Sequence, residues 1–183
     1  LRHRRFYLFL SVPVALMIGA LVWFRSQPDE ITISFVGDIM LSRGVQRYLE
    51  EFGYDYPYED LRDLFLQDDL TVGNLECPIT DYENAANKAK RFLFKADAEN
   101  ASALKQAGFD CLNLANNHTM DYTSPGLLDT MTHLEANGLD YVGASENAAS
   151  KKPYIFEKNG IRVGLLAYSA LPPEGYFYNA DKP

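Results

Sequence analysis

Acidic residues are absent from the start of this 183-residue chain: no Asp or Glu precedes Asp29, whereas Arg2, Arg4, Arg5 and Arg25 fall in or beside that region. The rest of the chain holds the other 13 of the 17 basic residues and all 25 acidic ones, which leaves it a formal charge of about −12, compared with −8 for the whole chain. A segment this acidic repels phosphate backbones and anionic surfaces. The charge distribution therefore argues against a nucleic-acid partner.

Charged residues of either sign are missing from residues 6–24, an apolar run that three arginines precede. The run is long enough to cross a bilayer as a helix, and the basic residues before it predict a cytoplasmic N-terminus. We expect a cytoplasmic tail at 1–5, a transmembrane signal anchor at 6–24, a linker at 25–30 and an extracellular domain at 31–183, held at the cell membrane by a single pass. A cleaved signal peptide is the alternative, although no small-x-small cleavage site follows the run.

Cysteine is scarce, since the chain contains two, Cys77 and Cys111. An exported domain would permit a disulfide between them. Cys77 follows the end of one predicted strand, however, and Cys111 lies near the start of another. A parallel sheet would hold the two residues too far apart for disulfide geometry. We therefore predict two buried free thiols.

Histidine is scarce as well, and its scarcity limits the sites that this chain can build. Of the three histidines, His3 lies in the predicted cytoplasmic tail. His133 follows Asp129 by one turn of a predicted helix and lies away from its apolar stripe, so we expect it to be a solvated surface residue. His118 is left as the candidate for metal or proton chemistry.

The hydrophobic pattern after residue 30 alternates between strand-like and helix-like segments. Apolar β-branched runs bounded by Gly, Pro or Asn predict strands, and apolar residues at helical spacing predict helices. This alternation is typical of an α/β domain. The predicted strands are 31–36, 70–75, 92–94, a run from 109, 141–142, a hairpin of 154–156 with 161–163, and a run to 168; the predicted helices are 42–52, 56–65, 98–107 and 124–138.

Three of the predicted strands end in side chains that can bind a metal. Asp38 follows the first strand, Glu76 the second, and Asn117 and His118 the strand that begins near residue 109. Since the carboxyl ends of parallel strands meet at one edge, we expect these groups to converge. Carboxylate, amide and imidazole together suit Mn, Fe or Zn more than Ca. Taken singly, each residue also suits a structural role, such as a helix N-cap for Asp38.

The sequence motifs at these strand ends also resemble the motifs of a known family. The motifs Gly37-Asp38-Ile39-Met40, Gly73-Asn74-Leu75-Glu76 and Ala115-Asn116-Asn117-His118-Thr119-Met120-Asp121-Tyr122, in this order behind an apolar anchor, are similar to those of the CapA/PgsA family of poly-gamma-glutamate capsule biosynthesis. The resemblance covers residues 31–169. It implies Asp38 as a metal ligand, Glu76 as a bridging carboxylate and Asn117 as a ligand of a second metal. It implies His118 as the acid/base or as an imidazole that faces the phosphate. Asn74, Asn116 and Asp121 are further candidates.

The resemblance implies a metallophosphoesterase-like two-sheet sandwich flanked by helices, which is incomplete here because such sites need further histidines from later strands. We expect two divalent ions in the complete domain, and a role in synthesis or export of poly-gamma-glutamate or a related polymer. Two hypotheses stay open: a metal-dependent hydrolase, or a non-catalytic accessory subunit of a membrane-bound polymer synthase. Lys88, Lys90, Arg91 and Lys95 form either a solvated face or a contact for an anionic polymer.

Overall fold

The computed structural model describes residues 17, 30–86, 91–147, 150 and 152–171. Strands alternate with helices along most of this part of the chain, which confirms the predicted α/β class. The elements in chain order are β1 Ile33–Ile39, α1 Gly44–Phe52, a 3-10 helix Tyr56–Tyr58, α2 Arg62–Gln67, β2 Leu70–Leu75, α3 Glu99–Ala107, β3 Cys111–Asn113, α4 Thr123–Ala136, β4 Asp140–Val142, β5 Tyr154–Lys158 and β6 Ile161–Leu165.

The first four strands form one sheet in the order β1-β2-β3-β4, and every neighbouring pair is parallel. Val72 in β2 lies opposite Phe35 in β1 and Cys111 in β3. Connections between neighbouring parallel strands are right-handed in nearly all proteins, so a sequential order of strands places the intervening helices on one face. The four carboxyl ends meet at one edge of the sheet, which we call the carboxyl edge.

One face of the sheet packs against the helices. Leu75 and Leu112 lie on this face, in a core that also contains buried residues from each helix. Side chains alternate between the two faces along a strand, so the neighbours Asn74 and Asn113 belong to the opposite side. The helical residues of this core include Leu49 in α1, Phe65 in α2, Leu104 in α3 and Leu134 in α4.

The opposite face of the sheet packs against the antiparallel β5–β6 hairpin. Val72, Cys111 and Val142 of the sheet form a second apolar cluster with Phe156 and Leu165 of the hairpin. The hairpin therefore covers the face that the helices leave open. The sequence predicted this hairpin, and the structure confirms it.

The hairpin has a defined direction relative to the sheet. Its turn residues Asn159 and Gly160 have φ of 54° and 75°, as a type I′ turn requires. Lys158 beside the turn forms an ion pair with Asp69, at the start of β2. The turn thus lies at the amino edge of the sheet, and the chain after β6 runs toward the carboxyl edge.

One predicted boundary and one predicted strand beside the candidate site are wrong. The first strand was expected to end at residue 36, but β1 continues through Asp38 to Ile39 after a register shift between Phe35 and Asp38. Residues 92–94 were expected to form a strand, and they form none; the nearest sheet-like contact is an isolated bridge between Ile79 and Ala96. Both differences occur beside the candidate site.

Both cysteines are buried and free, as predicted. The backbone N–H of Leu41 donates a hydrogen bond to Cys77 Sγ at 3.4 Å. Burial raises the pKa of both the Cys77 and the Cys111 thiol to about 12. These thiols stay protonated at neutral pH, and they serve as core residues.

Within residues 30–86, 91–147 and 152–171, no helix has the length and apolar character needed to cross a bilayer. The predicted anchor at residues 6–24 lies outside the described residues apart from Met17, as do Lys88 and Lys90 of the basic cluster.

Candidate functional site

Asn74 is the centre of a hydrogen-bonded cluster at the carboxyl edge. It lies opposite Asp38 in the β1–β2 pairing, two residues before Glu76. Its Nδ2 donates to Asp38 Oδ1 at 2.7 Å and to Glu76 Oε2 at 2.9 Å. One amide group thus brings together two carboxylates that the sequence placed at the ends of separate strands.

The other end of the Asn74 amide is held by two further asparagines. Asn74 Oδ1 accepts hydrogen bonds from Asn113 Nδ2 at 2.8 Å and from Asn116 Nδ2 at 3.2 Å. Asn116 Nδ2 also donates to the Leu75 carbonyl at 2.8 Å. Because donors surround Oδ1 and carboxylates surround Nδ2, the network fixes which end of the amide faces the acids.

Sequence reasoning missed Asn113. The signal was present, because Asn113 lies two residues after Cys111 in a short apolar strand, so it shares a face with Cys111 rather than with Leu112. A polar residue on an otherwise apolar face near the end of a strand needs a partner, and Asn74 in the neighbouring strand is that partner.

His118 is buried between two carboxyl groups, with 7 % of its surface exposed. Its Nδ1 lies 2.9 Å from Asp121 Oδ2, and its Nε2 lies 3.8 Å from Glu76 Oε1. Its backbone N–H donates to Asn116 Oδ1 at 3.0 Å, which links the loop after β3 to the asparagine network. One ring nitrogen of His118 therefore faces the predicted ligand Glu76 while the other is held by Asp121.

The cluster carries excess negative charge. Burial raises the pKa of the Glu76 carboxyl, and the neighbouring Asp38 charge raises it further, while His118 and the hydrogen bond from Asn74 oppose this shift. Among the described residues, no Lys or Arg forms an ion pair with Asp38 or Glu76. Lys95, from the predicted basic cluster, instead pairs with Glu83 at 2.6 Å. A cation would relieve the repulsion between the two acids.

The predicted site residues divide into two groups. Asp38, Asn74, Glu76, Asn116, His118 and Asp121 are connected by the contacts given above. Asn117 is half-buried, and within the described part of the chain its side chain has no hydrogen bond to this cluster. Its predicted role as a ligand therefore has no counterpart in the contacts of the cluster.

The connected residues do not by themselves form a metal-binding group. In residues 30–86, 91–147 and 152–171, no group of three or more His, Cys, Asp or Glu side chains is arranged to hold a metal ion. The donor types nevertheless suit a divalent ion, because Asn74 links the Asp38 and Glu76 carboxylates and the Nε2 of His118 lies 3.8 Å from Glu76. An ion at this edge would need further ligands.

His133 is half-buried, and not solvated as predicted. Its Nε2 is enclosed and lies 3.4 Å from Asp129 Oδ1, within α4. Asp129 also accepts a hydrogen bond from Thr80 Oγ1 at 2.6 Å and one from the Asp81 backbone N–H at 3.0 Å. The loop after β2 covers this turn of the helix, which is a tertiary contact that helical spacing alone does not reveal.

A cavity of about 340 Å³ lies beside the asparagine network, between the sheet and the chain after β6. Its lining includes the polar side chains of Asn74, Asn113 and Tyr168 and the apolar side chains of Val72, Val142 and Leu165. The cavity thus lies at the carboxyl edge, on the hairpin side of the sheet.

Comparison with known proteins identifies the family to which the chain belongs. The chain is 31 % identical over 191 residues to the capsule biosynthesis protein CapA of Bacillus anthracis, an alignment that covers 97 % of this chain and 46 % of the relative. It is 29 % identical over 189 residues to the PGA biosynthesis protein CapA of Bacillus subtilis strain 168, with 97 % and 50 % covered.

A third relative is named "Probable polyglutamine synthesis accessory protein" in Mycobacterium tuberculosis; it is 26 % identical over 198 residues, which cover 85 % of this chain and 51 % of the relative. The chain thus spans about half the length of these curated relatives. Residues 32–182 match the family model described as bacterial capsule synthesis protein PGA_cap. Since that match includes every strand of the sheet and the whole carboxyl-edge cluster, the chain belongs to the PGA_cap family of bacterial capsule synthesis proteins.

Proposed function

We propose that this protein acts in the synthesis or export of a poly-gamma-glutamate-type capsule polymer, as a metal-dependent hydrolase. Membership of the PGA_cap family and the names of the two CapA relatives support the capsule role. The observation that carries the hydrolase role is the bridging of Asp38 and Glu76 by Asn74, with His118 Nε2 3.8 Å from Glu76.

Three residues of the cluster are suited to hold a divalent ion of Mn, Fe or Zn type: Asp38, Glu76 and His118. The family resemblance adds Asn117 and a second ion, with ligands from chain outside the described residues. Such ions would lower the pKa of a bound water and neutralise charge on the reacting group. Asn74 sets the spacing of the two carboxylates, and His118 presents Nε2 as a ligand or as the group that holds the transferred proton.

The complete domain is proposed to be a metallophosphoesterase-like two-sheet sandwich. The β5–β6 hairpin, which packs on the face opposite the helices, supports this arrangement as the start of a second sheet. The chain after β6 leads toward the carboxyl edge, where Ala167 approaches Gly143. Later segments that follow this course would reach the site and contribute the remaining ligands.

We also propose that the apolar run at residues 6–24 anchors the protein in the cell membrane, with the domain outside. The arginines before the run support this orientation. An anchored domain would lie beside the membrane subunits of a polymer synthase, which are its proposed partners. An anionic polymer would contact it through the basic segment around Lys95.

The second candidate function is a non-catalytic accessory subunit of a membrane-bound synthase. The absence of a three-residue metal-binding group within the described residues favours it, as does the accessory role in the name of the Mycobacterium tuberculosis relative. In that case the carboxyl-edge cluster would be a structural network that fixes the strand ends.

Hydrolysis by the full-length protein distinguishes the two functions. Purified protein supplied with Mn²⁺ is incubated with poly-gamma-glutamate and with a phosphodiester, and product release is measured. We expect Asp38→Ala and His118→Ala to abolish turnover while leaving the circular dichroism spectrum unchanged. Glu51→Ala, which removes an exposed carboxylate from α1, is the matched control and should retain full turnover. Turnover that survives in the Asp38→Ala and His118→Ala variants would refute the hydrolase assignment.

A further inference from the structure

Residues 91–96 form no strand, and Phe94 in this segment is linked to His118 directly through its ring and indirectly through Asp121. The ring of Phe94 stacks on the imidazole, with ring centroids 4.2 Å apart and planes inclined by 31°. The backbone N–H of Phe94 donates to Asp121 Oδ2 at 2.8 Å. That same oxygen lies 2.9 Å from His118 Nδ1.

Phe94 therefore restrains the imidazole in two ways. Its ring packs against the face of the imidazole, and its backbone N–H holds the carboxylate beside Nδ1. A carboxylate at Nδ1 favours the tautomer with a proton on Nδ1, which leaves the Nε2 lone pair available. The hydrogen bond from Phe94 orients the Asp121 carboxylate toward the ring. The stacked ring opposes rotation of the imidazole about its Cβ–Cγ bond, and such a rotation would remove Nδ1 from Asp121.

The segment that carries Phe94 is itself tied to the chain that follows β2 and Glu76. The Ala96 N–H donates to the Pro78 carbonyl at 2.9 Å, and the Thr80 N–H donates to the Ala96 carbonyl at 3.1 Å. The position of Phe94 is thus fixed relative to the chain just after Glu76. This connection couples the orientation of His118 to the position of the carboxylate that its Nε2 faces.

We propose that Phe94 is a positioning residue for His118: through its ring and its backbone N–H it holds the imidazole in the Nδ1-protonated tautomer, with Nε2 directed at Glu76. The catalytic consequence rests on the proposed hydrolase function. The tautomer itself is a property of the folded protein without any ion, so it can be measured separately.

Substitution of Phe94 by Leu removes the aromatic ring and keeps the backbone N–H. Phe92→Leu makes the same chemical change two residues earlier, at a side chain that is 43 % exposed and has Arg43 and Arg91 as cation–π neighbours. Long-range ¹H–¹⁵N correlation spectra of the metal-free, full-length protein report the tautomer of each histidine. Comparison with His118→Gln identifies the His118 signals.

We expect the wild type and Phe92→Leu to have the proton on Nδ1 of His118, and Phe94→Leu to populate the Nε2-protonated tautomer as well. Turnover of Phe94→Leu should fall about tenfold with KM unchanged, as is usual when a group that orients a catalytic residue is removed. If Phe94→Leu does not fold, Phe94→Met provides the same comparison. A tautomer pattern in the folded variant identical to that of the wild type would overturn the proposal. Absence of metal binding or turnover in the wild type would refute the hydrolase function and leave the tautomer result to stand on its own.

Discussion

Asn74 shows how a single residue organises the carboxyl edge. Its Oδ1 accepts from two asparagines, so its two N–H groups point to Asp38 and Glu76. Because both ends of the amide are hydrogen-bonded, the amide has one orientation. It holds the two carboxylates close together in spite of the repulsion between their charges. Burial and the nearby Asp38 charge raise the pKa of Glu76, which is the more buried of the two acids.

The raised pKa of Glu76 predicts a pH-dependent change in stability. The folded protein binds the Glu76 proton more tightly than the unfolded chain does, so the favourable contribution is complete below the unfolded pKa and is lost as pH rises through the folded one. Glu76→Gln removes the charge and keeps an acceptor for Asn74. We expect this variant to have a larger free energy of unfolding than the wild type at pH 8, with the difference disappearing by about pH 4.

Urea denaturation of the metal-free protein at both pH values measures this difference. Glu51→Gln, at an exposed position of α1, is the control and should show no such pH dependence. Lower stability of Glu76→Gln at pH 8 would mean that the ionised carboxylate stabilises the fold, contrary to the charge balance described here.

At the level of elements, strands, turns and helix ends were predicted correctly where neighbouring residues alone determine them. The strand at residues 70–75 was predicted with its observed bounds, and the helix that precedes Gly108 ends where predicted. The Asn-Gly turn specified the hairpin. In each case a β-branched run or a turn residue determines the element without help from distant residues.

Sequence reasoning failed where tertiary contacts decide the structure. The apolar residues at 92–94 have a strand-like pattern, but Phe94 is buried against His118 and its N–H is used by Asp121. β1 extends beyond its apolar run because its register shift lets Asp38 pair with Asn74. Both outcomes depend on partners that are distant along the chain.

The end of α3 provides a test at the scale of elements. Gly108 has φ of +105°, and a Cβ placed there would lie 2.9 Å from Phe65 Cβ. Gly138, just beyond α4, has φ of +70° and an open surrounding. We expect Gly138→Ala to cost about 1 kcal/mol from backbone strain alone and Gly108→Ala to cost about 2–4 kcal/mol, since steric overlap with α2 is added.

The difference between the two glycine variants is measured by urea denaturation under identical conditions. Equal losses of stability would show that α2 shifts to make room for the added methyl group without lowering stability. Gly108 would then be required only for its dihedral angles.

At the level of the whole molecule, the fold could be predicted from the sequence more completely than the contacts within the candidate site. The parallel order of strands follows from the alternation of elements, and it brings Asp38, Glu76 and His118 to one edge, as expected for parallel strands. Asn113 and Phe94 escaped sequence reasoning because their roles depend on register and on loop packing. Asn117 was chosen for its place at a strand end and from the resemblance, and among the described residues its side chain has no hydrogen bond to the cluster.

The proposed hydrolase function requires that the carboxyl-edge cluster binds divalent metal, a claim that the metal content of the protein tests. The full-length protein is purified, supplied with Mn²⁺ or Zn²⁺, freed of excess ions and measured by elemental analysis. We predict about two equivalents in the wild type and in Glu51→Gln, with loss of binding in Asp38→Asn and Glu76→Gln. Absence of bound metal in a folded wild-type protein, or equal retention in all variants, would contradict the claim and favour the accessory function.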